Sequence, residues 1–398
     1  MASVVRMTDR PTFLSLFSGC GGFDLGFELA GFDCLGAFDI DPLTVEVHQN
    51  ALRSPSAVCD LSKISRLDCK RRPDVVIAGP PCQGFSTLGK REPNDPRNSL
   101  IVSAANLAVA HRPKVVVIEN VSGATTGNLA RYWNQAQELL QVSGYRTVTR
   151  HLVSANFGVP QIRRRVVLVA WRGNRAEPEI CYQSTIALKD VLTNVCGINH
   201  EPKCLKPGST EHSIALRIKP NQKLCNVRGG HRAVPTWEIP HVFGKTSANE
   251  RGVLIAIQKL RRQLRLRESG DADPLLVREV SEFCGRDVSR CVRSLHERGY
   301  LRKVGQRFDL AHTFNGKYRR LAWDQLAPAV DTRFGEPRYF LHPEEHRGLS
   351  VREAARIQGF PDDFEFIGPR SAQFRMVGNA VPPPLAKQIA IAIRDQLL

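Results

Sequence analysis

The sequence predicts an α/β protein in which a doubly wound, mostly parallel sheet is joined to a second, smaller basic domain. Three observations carry that expectation. Short continuous apolar runs alternate with helix-length stretches over the first 171 residues, the runs are bounded mostly by Gly, Pro, Asn or Asp, and most of the excess positive charge sits in the middle of the chain. A strand that is apolar throughout belongs to a sheet covered on both faces, and spacers of helix length supply the crossovers that parallel strands need. At 398 residues the chain exceeds the roughly 250 to 300 residues at which single cores stop growing, so two domains are expected.

The composition, 42% hydrophobic and 24% charged, is that of a globular protein and excludes disordered, collagenous and coiled-coil classes. Against 39 Asp and Glu stand 56 Lys and Arg, a net charge of +17 that points to a polyanionic partner such as nucleic acid or an anionic membrane surface. Residues 1–171 carry +5, residues 172–338 carry +12 and residues 339–398 carry none. The eleven cysteines are scattered and contain no C-x-x-C pair, so neither a disulfide framework nor a metal site is expected. The N-terminal segment has no apolar core followed by a cleavage site, and no apolar run reaches about 18 residues; an intracellular, soluble, cytoplasmic protein is expected.

Taken in order, the expected strands are TFLSLFSG, CLGAFDID, a third run ahead of Asp60, DVVIAGPP, KVVVIEN and RRVVLVAW. Ligands of doubly wound sheets bind at the carboxyl ends of the strands, so the residues just after each strand are the candidates. The first strand leads into Phe17, Ser18, Gly19, Cys20, Gly21 and Gly22, a glycine loop through which backbone can approach a ligand closely. It departs from G-x-G-x-x-G at Asp24, and a purely structural turn remains open. Asp39, about 20 residues on, is placed to accept from ribose hydroxyls, and Asp60 from an adenine amino group. Either aspartate alone is equally compatible with a loop or helix cap.

The fourth strand ends in Pro80-Pro81-Cys82-Gln83-Gly84. Two prolines stiffen the backbone ahead of a thiol, the residue type suited to covalent catalysis; a buried inert cysteine is the alternative. Glu119 ends one of the most apolar strands, where a carboxylate is costly unless paired or functional and where burial favours its protonated form. In Gln161-Ile162-Arg163-Arg164-Arg165, strand alternation puts Arg163 and Arg165 on one face, either as guanidinium groups for an oxygen-bearing substrate or as a basic surface strand.

In this order these segments resemble the DNA cytosine-5 methyltransferase family. FSGCGGFDLGF resembles its cofactor loop, GPPCQGFS its nucleophile motif, ENV its glutamate motif, VPQIRRR its Q-x-R-x-R motif, and LSVREAARIQGFPDDF and QFRMVGNAVPPPLAKQIA its two C-terminal motifs. The resemblance covers residues 1–171 and about 317–398. It implies a methyltransferase fold that uses S-adenosylmethionine and transfers methyl to C5 of a cytosine flipped out of double-stranded DNA. Cys82 would add to C6, Glu119 would hold and protonate the N3 edge, and Arg165 with Arg163 would stabilise O2. Phe17, Ser18, Gly19, Gly21, Gly22, Asp39, Ile40, Asp60, Pro80, Asn379 and Ala380 would form the cofactor site. The family usually has Glu at the position of Asp39, so the ribose contact requires a closer backbone.

The resemblance further implies catalytic domain 1–171, target recognition domain 172–338 and a C-terminal return, 339–398, that completes the catalytic domain. The loop from Gln83 to Asn98, with Ser86, Lys90, Arg91 and Arg97, would close over DNA; a solvated loop face is the alternative. Within the recognition domain, residues 249–310 read as helix, helix, turn, helix and hairpin, a winged helix-turn-helix. Val288, Cys291, Val292 and Leu295 make one apolar face, Asp287 is the expected N-cap, and Arg290 and Arg293 point away as DNA contacts. A helical subdomain with a solvated basic face is the alternative. The expected partners are DNA and a restriction endonuclease of the same specificity, with the protein acting as a monomer. An RNA (tRNA) cytosine-5 methyltransferase and a non-catalytic helix-turn-helix regulator remain open here.

Overall fold

The computed structural model describes residues 10–52, 54–69, 71–82, 95–224, 246–266, 273–311 and 317–398. The chain divides into two compact units, the first comprising Met1–Lys203, Ala322–Gly335 and Leu349–Leu398, the second Cys204–Leu321 and Glu336–Gly348. In chain order the elements that matter are β1 (Thr12–Leu16), α1 (Gly22–Leu29), β2 (Asp33–Asp39), α2 (Pro42–Ala51), β3 (Ser56–Val58), β4 (Val75–Ala78), α3 (Leu100–His111), β5 (Val115–Val121), α4 (Ala130–Val142), β6 (Arg146–Val153), β7 (Gln161–Ile162) and β8 (Arg164–Trp171). There follow α5 (Ala248–Gln263), α6 (Val277–Cys284), α7 (Ser289–Glu297), β9 (Leu301–Val304), β10 (Arg307–Leu310), α8 (Val351–Gln358), α9 (Arg370–Asn379) and α10 (Pro383–Leu397).

The first unit is built on a sheet of order β3-β2-β1-β4-β5-β8-β6. Strands β3 to β5 are parallel, while β8 runs antiparallel between β5 and β6. Side-chain alternation explains the unbroken apolar runs. Val76, Ala78, Val116 and Ile118 pack with Ala104, Ala108, Trp133 and Leu140 of α3 and α4 on one face; Val75, Ile77, Val115 and Val117 pack with Phe27, Leu385, Ile389 and Ile393 of α1 and α10 on the other. The C-terminal return is therefore core, not appendage. Helices α1 and α10 touch at Gly26, where a Cβ would stand 2.3 Å from the Ala386 Cβ, so only glycine permits the crossing.

This topology places the crevice. The chain leaves β1 towards β2 on one side and β4 towards β5 on the other, so the loops after β1 and β4 diverge at their carboxyl ends. Those loops are the glycine loop and Gly79-Pro80-Pro81-Cys82.

Strand β6 is absent from the expected strands. It is a sheet edge, and its RTVTRHLV sequence is mostly exposed or half-buried, so it lacks the apolar run by which its neighbours announce themselves.

The expected 172–338 segment needs correction at both ends. Residues 188–199 satisfy their polar groups within the first unit: Leu188 and Lys189 N–H donate to the Gln325 and Trp323 carbonyls, and buried Arg352 donates to the Ile198 carbonyl at 3.1 Å. Ala327–Pro328 pairs with β7. Backbone left unpaired would be costly, and its partners here are catalytic-unit groups. Conversely, residues 336–348 belong with the second unit, where buried Arg320 donates to the carbonyls of Ile218, Ala215, His342 and Glu345 at 2.7 to 2.9 Å.

Within the second unit, α5, α6, α7 and the β9–β10 hairpin enclose their own core of Val253, Leu254, Ile257, Val280, Val288, Val292, Leu295 and Leu301. Gly285, with φ of 63°, makes the turn between α6 and α7. The N-cap of α7 is Val288, which makes no side-chain cap; the expected cap, Asp287, stands one residue earlier and accepts the Ser289 N–H at 2.9 Å. Cys291 is only half-buried beside that core.

Candidate active site

One cavity of about 290 Å³ opens in the first unit where the crevice is expected. Its wall joins the glycine loop (Phe17, Ser18, Gly19, Gly22), the end of β2 (Asp39, Ile40, Asp41), the β4 loop (Gly79, Pro80, Pro81, Cys82), Glu119, Arg165 and the α9 end (Arg375, Asn379, Ala380). Residues 363 positions apart in the chain thus share one surface.

At one end, the pairing of β5 with β8 sets the chemistry. Val121 lies opposite Arg165 and Glu119 opposite Val167, so Glu119 and Arg165 project from one face on a diagonal. Arg165 Nε meets Glu119 Oε1 at 2.7 Å, with both side chains nearly buried. Burial pushes the Glu119 carboxyl up, against the opposing pull of Arg165 and Arg163. Burial likewise raises the Cys82 thiol; Arg165 and Arg163 pull it back and Glu119 adds to the rise. The cysteine loop is tied to this strand by Asn120, whose Nδ2 donates to the Pro80 carbonyl at 3.0 Å while its Oδ1 accepts the Val121 N–H. A thiol, a carboxyl biased towards its protonated form and a fixed cation therefore share one cavity end.

The other end suits a nucleoside with a charged tail. Ser18 Oγ is buried with no hydrogen-bond partner among the described residues, although it lines the cavity. Ile40 leaves 63% of its surface exposed at the same wall, an apolar face available to a planar base. Asp39 accepts the Gly19 N–H at 2.9 Å and the Asp41 N–H at 3.0 Å, one on each oxygen, and each oxygen keeps a second lone pair for a hydroxyl.

The comparison over almost the whole chain decides the family. The sequence pattern of the C-5 cytosine-specific DNA methylases matches residues 11–395. The chain belongs to that family. As a C-5 cytosine-specific DNA methylase it is an enzyme, a DNA cytosine-5 methyltransferase whose methyl donor is S-adenosylmethionine. It is 32% identical to the Type II methyltransferase M.XorII of Xanthomonas oryzae over 98% of this chain and 85% of that protein. It is 31% identical to M1.HphI of Haemophilus parahaemolyticus, over 96% of this chain and 86% of that one. The structure of the Entamoeba histolytica methyltransferase EhMeth shares the fold, with a TM-score of 0.57 at 12% identity, covering 97% and 98% of the two chains.

Not every expected residue of this cytosine-5 methyltransferase reaches the cavity. Arg163 is the main correction. Only 2% exposed, it turns into the core, donating from Nη1 to the Val330 carbonyl at 3.0 Å and from Nη2 to the Gly378 and Ala380 carbonyls at 2.9 and 3.0 Å. Burial lowers its guanidinium to about 9, and only Nε lacks a partner among the described residues. Asp60 is also outside the cavity wall; the Ser62 hydroxyl and N–H and the Lys63 ammonium hold its carboxyl down to about 2, the pattern of a turn cap. Gly21, with φ of 94°, is the N-cap of α1 and backs onto α2, where a Cβ would meet Leu52 at 2.4 Å.

Arg97 is exposed and paired with Asp95 at 2.6 Å; Gln83, Ser86, Lys90 and Arg91 lie outside the described residues. Arg290 and Arg293 are exposed on α7. Arg375 and Thr44 are among the wall residues that the sequence reading did not single out. Arg375 precedes Asn379 by four positions, one helical turn, and pairs with Asp41 at 3.0 Å; that spacing was the available signal. Thr44 lies in the first turn of α2, just past the Asp41 cap.

Proposed function

We propose that this enzyme modifies one cytosine within a specific sequence of double-stranded DNA through a covalent Cys82 adduct. The observation that carries the reading is the presence of Cys82, Glu119 and Arg165 in the wall of the same cavity as the glycine loop. A cytosine inside a duplex is out of reach, so the base must be extruded at a cost of about a few kcal/mol. Cys82 then attacks C6 as thiolate. Glu119 donates a proton to N3 as the ring takes up the electron pair, and Arg165 holds the O2 edge, which leaves C5 nucleophilic.

S-adenosylmethionine, when held by Phe17, Ser18, Gly19, Gly22, Asp39, Ile40, Asn379 and Ala380, supplies the electrophilic methyl group. Removal of the C5 proton then restores the ring as the bond to Cys82 breaks. The Pro80 carbonyl, already accepting from Asn120, keeps a lone pair for the exocyclic amine. Arg290 and Arg293 on α7 contact the duplex. The protein acts as a cytoplasmic monomer on DNA and is paired with a restriction endonuclease of the same specificity; its similarity to Type II methyltransferases supports that pairing.

The decisive experiment is a DNA duplex carrying 5-fluorocytosine at the methylated position, which bisulfite sequencing of DNA from expressing cells identifies. Fluorine cannot leave as a proton, so a denaturant-resistant protein–DNA complex should accumulate and should vanish with Cys82→Ala. Failure to trap with protein that methylates ordinary DNA overturns the covalent reading. Labelled methyl transfer into tRNA instead of DNA would overturn the substrate.

A further inference from the structure

Three buried side chains of the first unit take no part in the reaction just described. Gln161 and Gln358 are wholly buried and Arg163 nearly so. Gln161 accepts the Val330 N–H at 3.0 Å and donates from Nε2 to the Ile357 carbonyl at 3.0 Å and to Gln358 Oε1 at 2.6 Å. Gln358 passes the chain on, donating to the Ala380 carbonyl at 2.6 Å. Arg163 closes it from the other side through Val330, Gly378 and Ala380. Both polar groups of Val330 are thereby occupied, and the Ala380 carbonyl receives two donors. Asn379 and Ala380 are cavity wall, and so is Arg165, two residues beyond Arg163.

We propose that Gln161, Arg163 and Gln358 are positioning residues that hold the Gly378–Ala380 wall of the cofactor end, so that within Q-x-R-x-R only Arg165 serves the base. The argument is one of cost. A guanidinium taken out of water is tolerated only when most of its demand is met, and here the Val330, Gly378 and Ala380 carbonyls serve both terminal nitrogens, leaving only Nε without a partner among the described residues. Interior amides that leave no acceptor idle specify a single backbone position more sharply than apolar packing would. The position they specify is the turn from α9 into α10. This inference rests on the cofactor and base ends of the cavity being assigned as above.

The test separates the two ends. Gln358→Leu and Gln161→Leu leave the charge near Cys82 unchanged, and Arg163→Lys keeps it while removing the fork. For each, S-adenosylhomocysteine affinity is measured by calorimetry, and the base end is read without cofactor by loss of tritium from C5 of cytosine in duplex DNA. In that exchange the Cys82 thiolate bonds to C6, the electron pair passes to C5 and takes a solvent proton. C5 then gives up tritium as a cation, and the pair returns to expel the thiolate. Cofactor affinity should fall about tenfold or more, as loss of one charged or buried hydrogen bond implies, with KM rising and kcat and tritium exchange staying within about threefold. Arg163→Lys should recover part of the affinity that Arg163→Met forfeits.

Unchanged cofactor affinity in all three variants, or a fall in exchange with affinity intact, overturns the assignment. If the wild-type protein exchanges no tritium, the covalent reading fails, while the calorimetric arm still decides this one.

Discussion

The cavity of the first unit and the helical module of the second, residues 246–311, use charge in opposite ways. Around the cavity, charges are few and matched: Glu119 faces Arg165, Asp41 faces Arg375, and Asp39 takes two backbone N–H groups. In the helical module matched and unmatched cations stand side by side. Asp309, fully buried, is gripped by Arg261 at 3.0 Å and Arg302 at 2.7 Å, whereas Arg290, Arg293 and Lys303 are exposed and make no ion pair among the described residues. A buried charge offsets its desolvation through a specific partner and so can do geometry-dependent work; an exposed one acts at a distance and is screened by salt. The first region should therefore respond to mutation through chemistry and the second through long-range attraction.

The largest effect expected is at the nucleophile. Cys82→Ala should lower methyl transfer by about 10⁴-fold or more while DNA and S-adenosylhomocysteine still bind, as measured by labelled-methyl incorporation and calorimetry. Retained transfer would mean that Cys82 is a core thiol. Next comes Glu119→Gln, expected to cost about 10²- to 10⁴-fold in kcat/KM. Its pH profile is more telling than its magnitude. The proposed reaction would need thiolate Cys82, whose fraction grows with pH, and protonated Glu119, which is depleted once pH passes its raised value; both shifts come from burial. The wild-type profile should thus be bell-shaped, and Glu119→Gln should lose the alkaline fall, since its amide does not titrate.

How far the sequence reveals these regions follows from where each residue finds its partners. Strands β1, β4 and β5 are legible because burial on both faces demands continuous apolar runs, and Cys82 and Glu119 stand at their ends. The α7 face is legible for a similar reason, since Val288, Val292 and Leu295 recur at helical spacing against one core. The role of Arg163 is not. Strand alternation places it beside Arg165, but its acceptors lie 167 to 217 positions away, beyond any local pattern. At Asp60 the difficulty runs the other way, because a cap made with its own neighbours and a ligand contact look the same in sequence. The edge strand β6 and the boundaries of the second unit were hidden because both depend on backbone pairing rather than on side-chain type.

Of the matched charges in the second unit, Asp309 should matter most. Asp309→Asn leaves Arg261 buried beside a neutral amide, and breaking a buried pair from one side costs about 3 to 5 kcal/mol. Hydrogen exchange should show that loss across α5, α7 and the β9–β10 hairpin, with protection in β1, β4 and β5 unchanged, if the module's core is as self-contained as its packing. Equal deprotection of both regions would break the comparison.

The smallest effect sharpens it. If the unmatched cations of α7 face phosphate, Arg290→Gln with Arg293→Gln should weaken DNA binding and reduce the slope of log affinity against log salt by about 1 for each phosphate no longer neutralised, because fewer counterions are released. Arg298 is the matched control on the same segment, paired with Glu250 at 2.7 Å. Its charge is already engaged within the protein, so Arg298→Gln should leave the salt slope as it was and cost stability instead. Methyl transfer at saturating DNA should be equal in all of these variants, since none touches the cavity. A slope that falls as much for Arg298 as for Arg290 and Arg293 would mean that only net charge matters, and the division between matched and unmatched arginines would carry no functional information.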